Sequence, residues 1–441
     1  MGVVTAVLGF VSMNKDSLRA VITGSTTTVV IVRGAIVLLA SSSMGDSEAF
    51  LAFILETLYH QVLFSLTSLV QRKLKQASGF DMRNLLGGTE PVMAGIANNA
   101  FNDPGLMTCS LKSLEIDISV RNEASRVLTW AQSQVPEIFY GILLVGDRIL
   151  TVLQPKASAH RIHDLDLKLI INFVNTQKAF HGTESWTPLC LPRFNANGYL
   201  NGYIGFLDEE SDLCLIFISS QQKLETFLVF QEFSAAVSTS LQNDGSIQKI
   251  RDAKNNINEQ RFITGSMSQT ENTSNGFSEL SKQNMPLHFI YVHKPPVGKV
   301  KGDAPPDPSF SQYLCPNEFP HPLCSDKVSI AKYWTSYQSS ILRLRHATDS
   351  PEVTLSTPNI TAKDIEYPIA SKAWLQTPIH DLSSFTIGNI LMLGFTGENF
   401  ELHAIFHSNV VPSDALNASI RLVENIKQYA PSLFLLKPPI Y

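Results

Sequence analysis

Histidines are the first residues in this chain that could bind a metal ion or act as catalytic bases. His160, His163 and His181 are close in sequence, but no cysteine or carboxylate stands near them at the spacing of a zinc site. His403 and His407 alternate with the apolar residues of a predicted strand, so we expect both side chains in solvent. The histidines therefore predict neither a metal site nor a catalytic base.

Paired carboxylates and short glycine-rich motifs are the other common sources of chemistry. Glu115 with Asp117, and Asp164 with Asp166, are explained by helix caps and solvated helix surfaces. The sequence contains no GxxxxGKS, GxxxxGKT, GxGxxG, GxSxG or HExxH motif. It thus predicts no catalytic residue, no metal and no cofactor.

Length and composition limit the class of protein. The chain has 441 residues, of which 44% are hydrophobic and only 17% are charged. At about 150 residues per domain, this length predicts three domains with cores of their own. The net charge of -5 provides no broad positive field for nucleic acid. Five cysteines without a CxxC pair favour a reducing, intracellular compartment.

One long apolar segment, residues 49–70, is a candidate for a membrane-spanning helix. It contains Glu56, His60 and Gln61, so we predict an amphipathic helix of a folded domain instead. The basic cluster that follows is a candidate contact for an anionic membrane surface, and a plain solvated surface is the alternative. This cluster consists of Arg72, Lys73 and Lys75.

Strand and helix patterns repeat along the chain and define three related α+β units. The middle unit is the clearest, with the order β-β-α-β-β-β-α. The first unit, which begins with a helix over 2–13, has this order without its first two strands. We predict an antiparallel sheet sandwiched by helices in each unit. The predicted boundaries are 1–106 for the first unit, 107–136 for a connector, 137–241 for the second unit, 242–285 for a flexible polar linker, 286–441 for the third unit and 294–322 for a proline-rich surface insert within it.

Three stretches carry a resemblance to a known family: Val32-Arg33-Gly34, Leu85-Leu86-Gly87-Gly88-Thr89-Glu90 and Trp186-Thr187-Pro188-Leu189-Cys190-Leu191-Pro192-Arg193-Phe194-Asn195. With them, the chain resembles the SAND, or Mon-type vacuolar fusion, family along nearly its whole length. The resemblance implies three longin domains. It also implies a subunit that pairs with a Ccz-type longin protein and promotes GDP/GTP exchange on a late-endosomal Rab GTPase in endosome maturation and vacuolar or lysosomal fusion.

The same resemblance implies a cytoplasmic protein that lies peripherally on the late-endosomal, vacuolar or lysosomal membrane. An exchange factor deforms its GTPase by binding and needs no nucleophile, base or metal of its own. We therefore expect an exchange-factor subunit without catalytic chemistry rather than an enzyme. The alternative is a longin scaffold or tether that binds trafficking partners without exchange activity. An unrecognised enzyme is the third hypothesis.

The resemblance also suggests which residues bind the Rab or the partner. For residues 33–34, the alternative to a binding role is a plain hairpin turn. For residues 85–90, the alternative is that the glycines end a helix while the leucines pack in the core. The partner-binding candidates are Arg33, Gly34, Leu85, Leu86 and Glu90. The residues of the family signature that we expect to be structural are Gly87, Gly88, Trp186, Pro188, Cys190, Pro192, Phe194 and Asn195.

Two features depart from the family pattern. The chain lacks the long polar N-terminal region that family members usually carry, and the first unit lacks two strands of its sheet. We therefore expect an unpaired strand edge in the first unit. A truncated gene model would explain both departures, and such a chain would fold poorly or lack exchange activity alone.

Overall fold

The computed structural model of the chain contains three α/β units. The residues it describes are 18–34, 36–69, 86–100, 103–177, 180, 182–256, 285–295, 310–316, 327–346, 372–376, 390–397, 399–407 and 409–441. The helix predicted over 2–13 lies outside the described residues.

The first unit is an antiparallel sheet with a long helix packed on one face. Its strands adjoin in chain order, and they are β1 (Ala20–Thr23), β2 (Thr26–Arg33) and β3 (Ile36–Ser42). Helix α1 (Glu48–Leu66) begins after Ser47, whose side chain caps it by accepting a backbone hydrogen bond. Helix α2 (Glu90–Asn99) packs beside α1. These elements confirm the three strands and the long helix predicted for this unit.

Helix α1 is long and apolar enough to cross a membrane by length and composition alone. In this fold it is a core helix that reaches all three units. Leu51 and Leu55 pack on the β1–β3 sheet, Phe50 and Ile54 pack in the core of the third unit, and Phe64 packs in the core of the second. Helix α1 is therefore the helix of a folded domain, as predicted.

The second unit contains an antiparallel sheet with helices on both faces. In chain order it consists of β5 (Tyr140–Val145), β6 (Arg148–Leu153), α5 (Asp164–Thr176), β7 (Ser185–Leu189), β8 (Leu200–Asp208), β9 (Leu213–Ser219) and α7 (Leu224–Asn243). The strands adjoin in the order β6-β5-β9-β8-β7. All of β9 is buried because helices cover both faces of the sheet. The predicted order of elements in this unit is confirmed.

The segments predicted as a connector and a linker contain further helices of the second unit. Helix α4 (Ile118–Gln134) lies in the connector and packs its apolar face beneath the sheet. Helix α8 (Ser246–Asn255) lies in the predicted linker and buries Ile247 and Ile250 in the same core. The prediction of a flexible linker from residue 242 is therefore wrong as far as residue 256, because these isoleucines supply an apolar contact that the polar composition concealed. Residues 257–284 lie outside the described residues.

A charged pair between α8 and β8 predicts a pH dependence of stability. Arg251 Nε donates to Asp208 Oδ2 at 3.0 Å, and this bond lowers the pKa of Asp208 from 3.8 to about 2. Because the pKa is lower in the folded chain than in the unfolded chain, the pair stabilises the fold above pH 3.8, and this stabilisation is lost as the pH falls through about 2. We expect Asp208→Asn to lack this acid sensitivity in urea midpoints measured across that range. Unchanged acid sensitivity in the variant would contradict the assignment.

The third unit also contains an antiparallel sheet between helices. In chain order it consists of β10 (His288–His293), β11 (Gln312–Leu314), α9 (Lys327–His346), β12 (Lys372–Gln376), β13 (Ile390–Thr396), β14 (Phe400–His407) and α10 (Pro412–Leu433). The strands adjoin in the order β12-β13-β14-β10-β11, and β4 (Leu111–Lys112) adds to β11 in parallel. Numbered within each unit, the second and third sheets have one order, 2-1-5-4-3. By their order, β3, β2 and β1 of the first unit correspond to strands 5, 4 and 3 of that series.

Two predictions for the third unit are wrong. Phe310, Gln312 and Tyr313 are buried, although they fall within the predicted surface insert over 294–322. The reason is long-range: β11 pairs with both β10 and β4, which local composition cannot reveal. His403 is fully buried rather than solvated, because α9 covers its face of β14. His407 is exposed, as predicted.

Candidate partner-binding surface

The turn between β2 and β3 carries two of the predicted partner-binding residues. Gly34 has a φ of +65°, a backbone conformation that favours glycine. Arg33 Nη1 donates to the carbonyl oxygen of Val32 at 3.1 Å, and Nη2 forms an ion pair with Glu56 of α1. The Arg33 side chain is 45% exposed. Arg33 is thus a surface residue whose charge already has a partner in the same unit.

The face of the β1–β3 sheet opposite α1 carries four exposed aliphatic side chains around Val30, which is buried. Val32 and Val37 lie directly across from each other in the β2–β3 register and are 45% and 43% exposed. Val21 and Leu39, on the same face, are 41% and 45% exposed. Clustered exposed aliphatic side chains are typical of an interaction surface. We call Val21, Val32, Val37 and Leu39 the apolar face of the first unit.

Strand β3 adds a free backbone edge beside the apolar face. It pairs with β2 from Ile36 to Ser42, and no other strand of the described ranges pairs with it. The N–H and C=O groups along such an edge can bind a further strand. This arrangement agrees with the unpaired edge expected from the sequence. One partner can contact the edge and the apolar face together.

The second predicted set of partner-binding residues lies at a different place. Leu86 is half-buried, and its carbonyl accepts a hydrogen bond from the Thr89 amide at 2.9 Å, while Glu90 is exposed in the first turn of α2. Gly88 has a φ of +83°, and Gln177 at the end of α5 donates to its carbonyl at 3.3 Å. This turn is therefore anchored to the second unit, whereas Arg33 is anchored to α1. The remaining candidates, Leu85, Arg72, Lys73 and Lys75, lie outside the described residues.

The family signature, residues 186–195, consists of the edge strand β7 and the one-turn helix α6 (Pro192–Asn195). Pro188 is tolerated because an edge strand needs no second row of backbone donors. Trp186 packs on Phe230 of α7 with ring centroids 5.8 Å apart. These contacts are internal to the second unit and fit the structural role expected of the signature.

Backbone hydrogen bonds around α6 join the signature to the first unit and to α5. The amide of Cys190 donates to the carbonyl of Phe64 in α1 at 3.0 Å. The carboxylate of Asp166 accepts from the amides of Arg193 and Phe194, both at 3.0 Å. Burial raises the pKa of Cys190 to about 12, so this thiol stays neutral and unreactive at physiological pH.

Asp166 is an anchor that the sequence analysis missed. We predicted a solvated side chain, but the carboxyl is fully buried, and burial raises its pKa to about 6 despite the two backbone donors. His163, not Asp164, caps α5, with Nδ1 accepting from the Leu165 amide at 3.1 Å. No local pattern identifies Asp166 because its donors lie 27 and 28 residues further along the chain.

We expect Asp166→Ala to lower the free energy of unfolding by about 2–3 kcal/mol, because two buried amides lose their acceptor. Asp166→Asn keeps one carbonyl acceptor and should cost less. Urea midpoints of the two variants test this order. A change below about 0.5 kcal/mol for Asp166→Ala, as at an ordinary surface position, would contradict the anchoring role.

Family models for two domains match the chain over the first two units. The model described as the first longin domain of FUZ, MON1 and HPS1 matches residues 1–96. The model described as the second longin domain of the same proteins matches residues 136–237. The first match contains the apolar face and the free edge of β3, and the second contains the signature.

Curated relatives carry the corresponding names. Protein SAND of Takifugu rubripes is 32% identical over 225 residues, which are 51% of this chain and 42% of that protein. Vacuolar fusion protein MON1 of Yarrowia lipolytica is 32% identical over 241 residues, 54% of this chain and 43% of that protein. Over its first two units the chain is thus similar to SAND and MON1 proteins. Vacuolar fusion protein MON1 homolog A of Homo sapiens is 28% identical over 254 residues, 57% of this chain and 38% of that protein.

The apolar face lies in the segment that matches the first longin domain. The signature of the family lies at the contact between that domain and the second longin domain. The match spans about half of this chain and between 38% and 43% of these three relatives.

Proposed function

We propose that this chain acts in the endosomal and vacuolar route of membrane trafficking. With a Ccz-type longin partner, it would promote GDP/GTP exchange on a late-endosomal Rab GTPase. The observation that carries the proposal is the apolar face, on a segment that matches the first longin domain of FUZ, MON1 and HPS1. The names of the relatives, vacuolar fusion proteins, support the trafficking role.

The proposed mechanism uses binding energy alone. The partner contacts the apolar face, and the joint surface binds the GTPase in a conformation that holds its nucleotide weakly. Because the surface stabilises that conformation, nucleotide leaves faster without a base, nucleophile or metal from this chain. The chain is then an exchange-factor subunit and not an enzyme with catalytic chemistry of its own.

We further propose that the third unit is a third longin domain. Its support is the strand order 2-1-5-4-3, shared with the second unit, together with the helix that follows the last strand in both. A cytoplasmic location, peripheral on the late-endosomal, vacuolar or lysosomal membrane, completes the proposal. The basic cluster at Arg72, Lys73 and Lys75 is the proposed contact with anionic lipid.

The proposal is tested by release of a fluorescent guanine nucleotide from a late-endosomal Rab. We expect the chain and a Ccz-type partner together to accelerate release, and each alone to do so weakly. A Rab of another compartment serves as the specificity control. Stable binding of the partner without faster release would support the scaffold or tether function instead. If the chain neither binds the partner nor accelerates release, both functions are refuted.

A further inference from the structure

A cavity of about 260 Å³ opens where segments of all three units meet, away from the apolar face. Its walls come from α2, α5, β4 and β11, together with the turn between β5 and β6. Ile96 and Ile171 form an apolar part of the lining, and two lysines, Lys112 and Lys168, line the polar part. The exchange mechanism proposed above leaves this cavity without a role.

The two lysines have more hydrogen-bond donors than the surrounding residues satisfy. Lys168 Nζ lies 3.4 Å from Asp103 Oδ2 and donates to the carbonyl of Ser110 at 3.1 Å. Lys112 Nζ donates to Asp147 Oδ2 at 2.6 Å. An ammonium group has three N–H donors. Among the described residues, one donor of Lys168 and two of Lys112 are therefore open to water or a ligand.

The acidic groups of the cavity, in contrast, have their own donors. Asp103 Oδ1 accepts from the Tyr313 hydroxyl at 2.5 Å and from the Gly105 amide at 2.8 Å. Asp147 Oδ1 lies 4.0 Å from Arg148 Nε, which is outside the lining, so the lining itself holds two basic and two acidic groups. Asp164, one turn before Lys168 on α5, is occupied by the amide of Ser311 at 3.1 Å. The charged donors that a ligand can still use are thus those of Lys112 and Lys168.

The volume limits what these donors can bind. Pockets for drug-sized ligands measure about 300–1,000 Å³, so this cavity admits only a small molecule. Charged acceptors such as carboxylate and phosphate oxygens form the strongest hydrogen bonds with ammonium donors. We propose that the cavity binds a small oxyanion, a phosphate or carboxylate group, between Lys112 and Lys168. The remainder of such a ligand would contact Ile96 and Ile171.

Binding at this site would stabilise the arrangement of the three units, because each contributes to the walls. The proposal is independent of the exchange function. Its test is isothermal titration of the full chain with inorganic phosphate and, separately, with malonate, at an ionic strength matched by chloride. We expect saturable one-site binding by at least one anion and a melting temperature that rises with its concentration. The anion that binds more tightly distinguishes phosphate from carboxylate ligands.

The matched variants are Lys112→Gln and Lys223→Gln. Lys112→Gln should fold, because its ion pair with Asp147 is partly exposed, and should raise the Kd at least about tenfold. Lys223→Gln, an exposed position at the start of α7, should leave the Kd unchanged. Hydrogen exchange of residues 103–112 should also slow when the anion binds the unaltered chain. No saturable binding by either anion, or an equal Kd for both variants, would overturn the proposal.

Discussion

Glu401→Ala should lower the free energy of unfolding by about 4 kcal/mol, the largest effect that we expect from a single side chain here. Glu401, His403 and Ser340 form a fully buried network in the third unit. His403 Nε2 lies 2.7 Å from Glu401 Oε1, and His403 Nδ1 lies 2.8 Å from Ser340 Oγ. Removing the carboxylate leaves a buried imidazole N–H and the ammonium of Lys294, 2.5 Å from Glu401 Oε2, without this acceptor.

This network has the residue types of a serine–histidine–acid relay, but its burial gives it a structural role. Ser340 belongs to α9 and is fully buried against β14, so no substrate reaches its hydroxyl. Ser340→Ala should therefore lower the urea midpoint, while the remaining folded protein keeps whatever acceleration of nucleotide release the unaltered chain shows. His407→Ala is the control. This exposed residue lies four positions after His403 on the same strand, and its loss should change the free energy of unfolding by less than about 0.5 kcal/mol. Equal effects of Glu401→Ala and His407→Ala would contradict the structural role.

Asp103→Ala should lower the free energy of unfolding by about 3 kcal/mol, the second largest effect. Its carboxylate receives donors from Tyr313 of the third unit, Lys168 of the second and Gly105 of helix α3 (Pro104–Thr108). Burial raises the pKa of Asp103, but the Lys168 and Lys112 ammonium groups and the hydrogen bonds from Tyr313 and Gly105 together more than offset this, so the pKa lies below its usual value. The variant leaves a tyrosine hydroxyl and an ammonium without their acceptor at the contact between units.

The control for Asp103→Ala is Asp147→Ala. Asp147 pairs with Lys112, but its side chain is 52% exposed, and exposed ion pairs contribute about 0–1 kcal/mol. Urea midpoints followed by tryptophan fluorescence should separate the two variants clearly. Equal destabilisation by both would show that Asp103 does not anchor the three units.

The sequence predicted the second unit well because its signals are local. Strands of continuous apolar residues, a tight turn at Gly146 and helices with one apolar face give the order of elements without knowledge of their neighbours. The missed elements depend on distant pairing. Strand β4 is two residues long and forms because it pairs with β11, which lies about two hundred positions later in the chain. Composition cannot reveal such a strand.

The candidate surface was predicted only in part. The Arg33–Gly34 turn follows from its sequence, but the apolar face does not, because Ile36-Val37-Leu38-Leu39 predicts only that both faces of β3 are apolar. Which face α1 covers is decided by tertiary packing: Leu38 packs towards α1, whereas Val37 and Leu39 point away from it. Asp166 and His403 were misassigned for the same reason, since elements far along the chain bury them.

We propose the apolar face as the surface through which this chain acts. Its most direct test is the rate of nucleotide release from a late-endosomal Rab with a Ccz-type partner and the double variant Val37→Lys, Leu39→Lys. Because both side chains are exposed, the variant should fold, and we expect its acceleration of release to fall at least about tenfold. Leu224→Lys with Leu228→Lys, exposed on α7 of the second unit, is the matched control and should retain the activity. Full acceleration by the Val37 and Leu39 variant would contradict the proposed role of the apolar face.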